Sequence, residues 1–234
     1  MTDDELRQNA ILGALPTHDL SQLRTRLHLA DVHSRNKVAE PGKPITDLYF
    51  PLSAVFSMVA SAGTHAVEVA TIGREGMAGL PVFLGRSISP HATFCQVPGR
   101  AAVLAADQLR PALAGSAALH GLLNRFTQAT MVQIAQNVVC NSSHTLAQRA
   151  ARWLLTTRDR VGRDQFPLTQ QFLSQMLGAS RPTVSETAGK LQANGLIRYS
   201  RGNLTITDRG GLEQAACHCY TIVKAEFDVL TGPA

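Results

Sequence analysis

Side chains able to donate or accept hydrogen bonds are concentrated between residues 180 and 190 of this 234-residue chain. The guanidinium of Arg181 matches the O6/N7 edge of guanine, and the carboxylate of Glu186 can accept a hydrogen bond from cytosine N4. Presented by one helix, such groups predict contacts in the major groove of DNA. The residues predicted to contact DNA are Thr169, Ser180, Arg181, Pro182, Thr183, Ser185, Glu186, Lys190 and Arg201.

Two short helices, separated by Gly178-Ala179-Ser180, are predicted to position these groups. Thr169 can cap the first helix, and Gly178 suits the left-handed residue that ends it. Ser180 can cap the second helix, and Pro182 falls in its first turn, where a missing N–H breaks no helical hydrogen bond. The inner face of the second helix would consist of Val184, Ala188 and Leu191. This is the layout of a helix-turn-helix.

A β-hairpin is predicted directly after this helix pair. Residues 196–199 and 204–207 have the composition of short strands, and residues 200–203 have the composition of a turn between them. A hairpin at this position is typical of the wing of a winged helix, and its turn would carry Arg201. The alternative is a small helical domain in which the same order of helices, glycines and strands arises by chance.

Basic residues are unevenly distributed along the chain. Residues 1–141 hold 11 Lys and Arg against 10 Asp and Glu, whereas residues 142–234 hold 11 against 7. The second segment therefore carries most of the net charge of +5, which favours contacts with DNA phosphates. No run approaches the roughly 20 apolar residues that a membrane span requires, and the first residues are polar and acidic, so we expect a cytoplasmic protein.

The cysteines raise the question of a metal site. Cys217-His218-Cys219 offers metal-binding side chains in a row, but adjacent residues of a helix point in different directions and no second ligand cluster is expected nearby. A structural role is therefore predicted for these residues, as for Cys95 and Cys140. An iron–sulfur cluster is not expected either, because the N-terminal region has no cysteine group to hold one. Neither a metal ion nor a cofactor is predicted.

The first half of the chain predicts a β-rich domain preceded by helices. Leucine and isoleucine spacing predicts helices over the first 35 or so residues, with a break at Pro16 and a second helix starting near Thr17. From Lys37 to about Leu109, short apolar and β-branched runs alternate with Pro and Gly, which favours a jelly-roll-like β-barrel. The fold class is therefore α+β, with a barrel over residues 1–110, a connecting helix over 111–141 and a winged helix-turn-helix over 142–234.

The connecting segment predicts one long helix from Ala117 to about Asn141, because it contains no Pro and its one Gly lies near its start. Its apolar seam suggests a dimer interface, although packing onto its own domain is the alternative. The seam consists of Leu119, Leu122, Leu123, Phe126, Met131, Ile134 and Val138. Ser142-Ser143 would cap the following helix, which carries Trp153 and Leu154 and ends at Gly162.

The order of these parts resembles the Crp/Fnr family of bacterial transcription regulators. The resemblance is strongest in residues 148–155, 172–197 and 199–208, and weaker in residues 48–51 and 67–85, which are similar to the family's cyclic-nucleotide-binding-like sensor domain. It implies a homodimeric, non-enzymatic regulator that binds a double-stranded DNA operator and contacts RNA polymerase. Where well-known members carry a glutamate and an arginine, this chain has Pro182 and Glu186, so we expect a different operator.

The sensor region departs further from the members that bind cyclic nucleotides. The glycine alignment places Gly79-Leu80-Pro81 where those members hold the ribose with a glutamate, and about Pro90-His91 where they hold the phosphate with an arginine. On the long helix, the polar pair that meets the base is replaced by Ile134-Ala135. None of these replacements can satisfy a buried phosphate or ribose, so cyclic AMP binding is not expected.

Three alternatives follow for the sensor region. The turn Gly73-Arg74-Glu75-Gly76 carries opposed charges, so Arg74 and Glu75 could bind a small-molecule effector or signal to the long helix, or they could be ordinary surface charges. The barrel could instead serve only as a scaffold of a constitutive DNA-binding factor. A metal-dependent jelly-roll enzyme using His65, Glu68 and His91 is disfavoured, because His65 and Glu68 would face opposite sides of one strand.

Overall fold

Three short helices precede the first strand. The computed structural model describes residues 1–63 and 65–230, without the side chains of Ala62 and His65. The helices are α1 (Asp3–Leu6), α2 (Ala10–Gly13) and α3 (Thr17–Arg24). Pro16 precedes α3 as predicted. The amide of Asn9, which also caps α2, donates to the carbonyls of Pro51 and Gly76 at 3.0 and 2.9 Å and so ties these helices to the barrel.

Two antiparallel sheets form the jelly-roll-like barrel. One has the order β1-β7-β3 and the other β2-β6-β4-β5. The inner faces meet in an apolar core that includes the fully buried Phe50, Phe56 and Leu104. The strands are β1 (Leu27–Val32), β2 (Lys37–Ala39), β3 (Asp47–Pro51), β4 (Val55–Ala62), β5 (His65–Ile72), β6 (Ala92–Val97) and β7 (Gly99–Ala105), with a short helix α4 (Leu80–Phe83) after β5.

The apolar seam of the long helix is buried along its first half and partly exposed along its second. It follows α5 (Leu109–Ala114) and runs as α6 (Ala117–Ser143), capped by Ser116, whose hydroxyl accepts from the amide of Leu119 at 3.0 Å. The side chains of Leu119, Leu122, Leu123 and Phe126 are buried in the core of the chain's own barrel. Met131 and Val138 are 62% and 67% exposed. The first half of the helix therefore packs onto its own domain, which was the alternative, and the prediction of a dimer interface is wrong there.

Three helices, a small sheet and two further helices follow α6. They are α7 (Leu146–Val161), β8 (Gln165–Pro167), α8 (Gln170–Leu177), α9 (Arg181–Ala193), β9 (Ile197–Ser200), β10 (Asn203–Ile206), α10 (Arg209–Ala215) and α11 (Cys219–Asp228). Thr145, with a capping box to Gln148, starts α7 in place of the predicted Ser142-Ser143, because α6 continues through both serines. The hairpin strands lie one residue from their predicted ends, and β8 completes the sheet in the order β8-β10-β9.

The C-terminal part packs directly against the barrel. Val55 and Val97 of the barrel belong to the same apolar cluster as α7 and α8. The rings of Phe94 and Phe172 meet edge to face, with 6.1 Å between their centroids. The first helix of the helix-turn-helix is thus part of the contact between the two parts, which couples its position to the barrel. None of the helices in the described ranges is long and apolar enough to cross a membrane.

Candidate nucleic-acid interface

Local hydrogen bonds set the limits of the two helices that form the helix-turn-helix. The hydroxyl of Thr169 accepts from the amide of Phe172 at 3.1 Å and caps α8. Gly178 ends α8 in the left-handed region at φ 61°, where a side chain would be strained. Ser180 then caps α9 by accepting from the amide of Thr183 at 3.4 Å. The predicted caps and the turn between the helices are confirmed.

The second helix, α9, has a buried face and an exposed face. Val184, Ala188 and Leu191 are buried as predicted, and Thr187 lies with them. The exposed face holds five of the residues predicted to contact DNA, which are Arg181, Pro182, Thr183, Glu186 and Lys190. A helix oriented in this way can offer its exposed side chains to a DNA groove while its other face stays in the domain core.

Three predicted contact residues, Thr169, Ser180 and Ser185, form hydrogen bonds within the domain. The hydroxyl of Ser185, half-buried, donates to Gln170 Oε1 at 2.6 Å and so links α9 to α8. Thr169 is engaged as the cap of α8. The sequence pattern did not reveal Gln170 as part of this arrangement, because a single polar residue in a first turn carries no distinctive signal. These residues position the helix, while the fully exposed ones remain available to DNA.

On the exposed face of α9, Glu186 and Lys190 form an ion pair, whereas Arg181 forms none with a described residue. Glu186 accepts a hydrogen bond from Lys190 Nζ at 2.7 Å, and this bond lowers the pKa of the Glu186 carboxyl from its ordinary value. Glu186 is therefore paired with Lys190 and not with Arg181. Arg181 has no ion-pair or hydrogen-bond partner among the described residues and is exposed. Its guanidinium is thus available at the first turn of the helix.

The hairpin beside α9 ends in a two-residue turn. Arg201 and Gly202 both have positive φ, 48° and 79°, as a type I′ turn requires. The amide of Tyr199 donates to Gln192 Oε1 at 2.9 Å, which holds β9 against the end of α9. Arg201 is exposed at the tip, as predicted, and exposed Arg198 on β9 is an additional basic side chain on this wing. The wing therefore extends the positive surface beside the helix.

The fold and the helix pair match known proteins. Residues 148–215 match the family model of the Crp-like helix-turn-helix domain. This part of the chain is therefore a Crp-like helix-turn-helix domain.

Solved structures share the fold over most of the chain at low sequence identity. FixK2 from Bradyrhizobium japonicum is 13% identical, with a TM-score of 0.69 over 82% of this chain and 98% of that protein. The c-di-GMP-responsive global regulator CLP from Xanthomonas campestris is 16% identical, with a TM-score of 0.63 over 82% and 100%. TTHB099, a CRP-family transcriptional regulator from Thermus thermophilus, is 17% identical, with a TM-score of 0.63 over 80% and 96%. A comparison with curated protein sequences gives no match.

The two segments aligned with a nucleotide pocket line one small cavity inside the barrel. Gly79, Leu80 and Pro81 lie on one side, and Pro90 and His91 on the other. The cavity measures about 30 Å³, which is about the space of a single water molecule and far below the roughly 300–1,000 Å³ of ligand pockets. The cavity is also lined by Met58 and Ile72 of the barrel and by Phe126 and Thr130 of α6.

The turn at residues 73–76 joins the barrel to the C-terminal part. Glu75 accepts from Arg160 Nε at 2.6 Å and from the amide of Gly73 at 2.9 Å. Arg160, on α7, is almost fully buried. The interpretation of Glu75 as an ordinary surface charge is therefore wrong, because it forms an ion pair with α7. Arg74 is exposed and lines a cleft of about 640 Å³ between the turn, α7 and α11.

Glu68, a metal ligand in the disfavoured enzyme hypothesis, forms hydrogen bonds within the fold. It is buried in β5, where its Oε1 accepts from Trp153 Nε1 at 2.7 Å and its Oε2 contacts the hydroxyl of Ser57. Burial raises the pKa of this carboxyl to about 7, against the hydrogen bonds from Ser57 and Trp153. Glu68 thus belongs to the contact between barrel and α7, whereas the side chain of His65 lies outside the described residues.

Contrary to the prediction, two further metal-binding side chains lie near Cys217 and Cys219. Cys140 and His144, at the end of α6, lie beside them, and the four ligand atoms are all within 4.8 Å of one another. The sequence could not show this group because Cys140 and Cys217 are 77 residues apart.

Proposed function

We propose that the chain binds a palindromic DNA operator as a homodimer and adjusts its grip on that operator through the barrel. The observation that carries this proposal is the exposed face of α9 beside the basic wing, in a Crp-like helix-turn-helix domain. The proposed contacts with DNA phosphates and with RNA polymerase rest on the same likeness to Crp-like regulators. Regulation of transcription requires no catalytic residue.

Base recognition is assigned to the first turns of α9. Arg181, unpaired within the described part of the chain, can donate two of its N–H groups to guanine O6 and N7. Glu186 can accept from cytosine N4, but its ion pair with Lys190 must rearrange or be shared for that contact. Pro182 offers only an apolar surface, which suits the methyl group of thymine. Each correct base contact contributes about 1–3 kcal/mol of discrimination.

The second half of α6 supports the homodimer. Met131, Ala135 and Val138 recur at helical spacing and are exposed, so they form an apolar stripe without a partner in a single chain. A second copy of the same helix, related by a twofold axis, would cover this stripe with identical residues. Such a dimer would present two copies of α9 about 34 Å apart, one turn of DNA. The occupant is therefore a second copy of this chain.

The interdomain cleft supports a small-molecule effector. Its volume of about 640 Å³ lies in the range of ligand pockets, whereas the barrel cavity is too small for a cyclic nucleotide. Arg74 and Arg158 line the cleft together with Arg160 of the Glu75 ion pair. An anionic ligand bound there would contact both the barrel turn and α7, and would shift the relative placement of the winged helices.

Selection of bound duplexes from a random DNA library tests the proposal. The wild type should enrich a palindrome with half-sites one helical turn apart, and Arg181→Ala should lose the preference at a single base pair of each half-site. Arg110→Ala, an exposed arginine on α5, is the matched control and should reproduce the wild-type site. Failure of the wild type to enrich any sequence at low salt would contradict operator binding, and an unchanged site for Arg181→Ala would contradict its role.

A further inference from the structure

Three thiols and one imidazole meet where the long helix ends. Cys140 lies in the last turn of α6, and His144 is the residue that caps its C-terminus. Cys217 precedes α11, and Cys219 is the first residue of that helix. The turn between α10 and α11 therefore brings two ligands to the two on α6. Because Cys217 and Cys219 flank one residue outside regular helix, their side chains can converge on the same point.

The distances within this cluster fit a single tetrahedral ion. The sulfurs of Cys140 and Cys217 are 3.5 Å apart, and Cys219 Sγ is 3.6 Å from His144 Nδ1. A tetrahedral zinc ion with Zn–S and Zn–N bonds of about 2.3 and 2.0–2.1 Å places two sulfurs about 3.8 Å apart, and sulfur and nitrogen about 3.6 Å apart. All four ligand atoms lie within 4.8 Å of one another. A multi-iron cluster would need more widely spaced ligands than the 4.8 Å limit here.

The surroundings suit a thiolate-bound cation. All three cysteines are buried and none forms a disulfide. Gln136 Nε2 donates to Cys219 Sγ at 3.1 Å, which is the kind of outer contact that orients a metal-bound sulfur. Arg149 is close enough to Cys140 and Cys217 for electrostatic interaction with both. Its positive charge would offset part of the negative charge that three thiolates and a divalent ion leave.

We propose that Cys140, His144, Cys217 and Cys219 bind a zinc ion as a closed Cys₃His site. On binding, each thiol loses its proton to solvent and the neutral imidazole ligates through Nδ1, so the ion is held without any change in oxidation state. The bound ion would fix α11 to the end of α6. The zinc site is independent of the DNA-binding function proposed above. It differs from the sequence-based prediction for these cysteines in that a metal ion is bound.

The site also lies next to the helix-turn-helix. Besides its proximity to the thiols, Arg149 donates to the carbonyl of Leu177, the last residue of α8. Zinc binding would therefore stabilise a group of contacts that runs from the end of α6 to the turn before α9. Loss of the ion would loosen α11 first, because both of its ligands stand at the start of that helix.

Metal analysis of the full-length chain tests the proposal. Wild-type protein, reduced, incubated with zinc and freed of excess metal, should retain one ion per chain, and cobalt in its place should show the absorption of tetrahedral thiolate coordination. Cys217→Ser and Cys140→Ser should lose the stoichiometric ion. Cys95→Ala is the matched control, since Cys95 is also buried but lies in the barrel away from the cluster.

A substitution outside the four ligands gives a second test, in case the ligand variants do not fold. Gln136→Ala leaves all four ligands in place and should weaken zinc binding about 10- to 100-fold, as measured by competition with a chelator. Reduced and folded wild-type protein that retains no zinc would overturn the proposal. This holds whether or not a separately oxidised sample forms a disulfide between Cys140 and Cys217. Equal zinc retention by Cys217→Ser and the wild type would overturn it as well.

Discussion

Replacement of Glu68 by glutamine should make the chain more stable at neutral pH. Glu68 is buried between β5 and α7, and burial raises its pKa to about 7. The hydroxyl of Ser57 has one proton but two acceptors nearby, Glu68 Oε2 and Gln96 Oε1, the latter at 2.9 Å. A protonated Glu68 resolves this, because it donates to Ser57 while Ser57 donates to Gln96. The amide of a glutamine can donate in the same way without ever ionising.

The expected magnitude follows from the difference in pKa between the two states. In the unfolded chain the carboxyl loses its proton near its ordinary pKa of 4.5, whereas in the folded chain it keeps the proton until about 7. Between these values the folded state binds more protons, so the free energy of unfolding falls as pH rises. At about 1.4 kcal/mol per pKa unit, the loss reaches about 3 kcal/mol above neutral pH. The glutamine variant lacks this loss.

Urea denaturation of the wild type and Glu68→Gln, at several values between about pH 4 and pH 8, measures the effect. The stability gained by the variant should grow with pH and level off above neutral pH. Asp31→Asn, which neutralises an exposed carboxylate on β1, is the control and should show no such growth. A constant difference between Glu68→Gln and the wild type across this range would refute the reasoning, since it would mean that the buried carboxyl titrates normally.

Substitutions at Gly76 and Val138 test the two environments of α6, each with a control elsewhere in the chain. Gly76→Ala should lower the free energy of unfolding by about 1–3 kcal/mol, because an added Cβ would lie 2.2 Å from an atom of the Phe126 ring. Gly189→Ala meets nothing within 4 Å and should raise stability by up to about 1 kcal/mol. Thermal or urea unfolding distinguishes them, and equal effects would contradict the close packing of Gly76. Val138→Asp should convert the proposed dimer to a monomer in sedimentation experiments, whereas Val229→Asp, similarly exposed, should not. A dimer that tolerates Val138→Asp would place the interface elsewhere.

Features that depend on neighbouring residues were predictable from the sequence. The caps at Thr169 and Ser180 and the glycine that ends α8 act through hydrogen bonds over three or four residues, and the structure confirms them. The buried stripe of α9 follows from helical periodicity in the same way. The start of α7 was missed because Ser142 and Ser143 are also good caps, and only continuation of α6 selects Thr145.

The sequence by itself thus determined the helix-turn-helix, its exposed polar face and the overall order of barrel, long helix and wing. Tertiary structure alone decided that half of the α6 seam faces the barrel, that Glu68 meets Trp153 across 85 residues, and that Cys140 meets Cys217 across 77. The physical reason is that periodicity shows which side chains share a face, while the segment that covers that face depends on how distant parts of the chain pack.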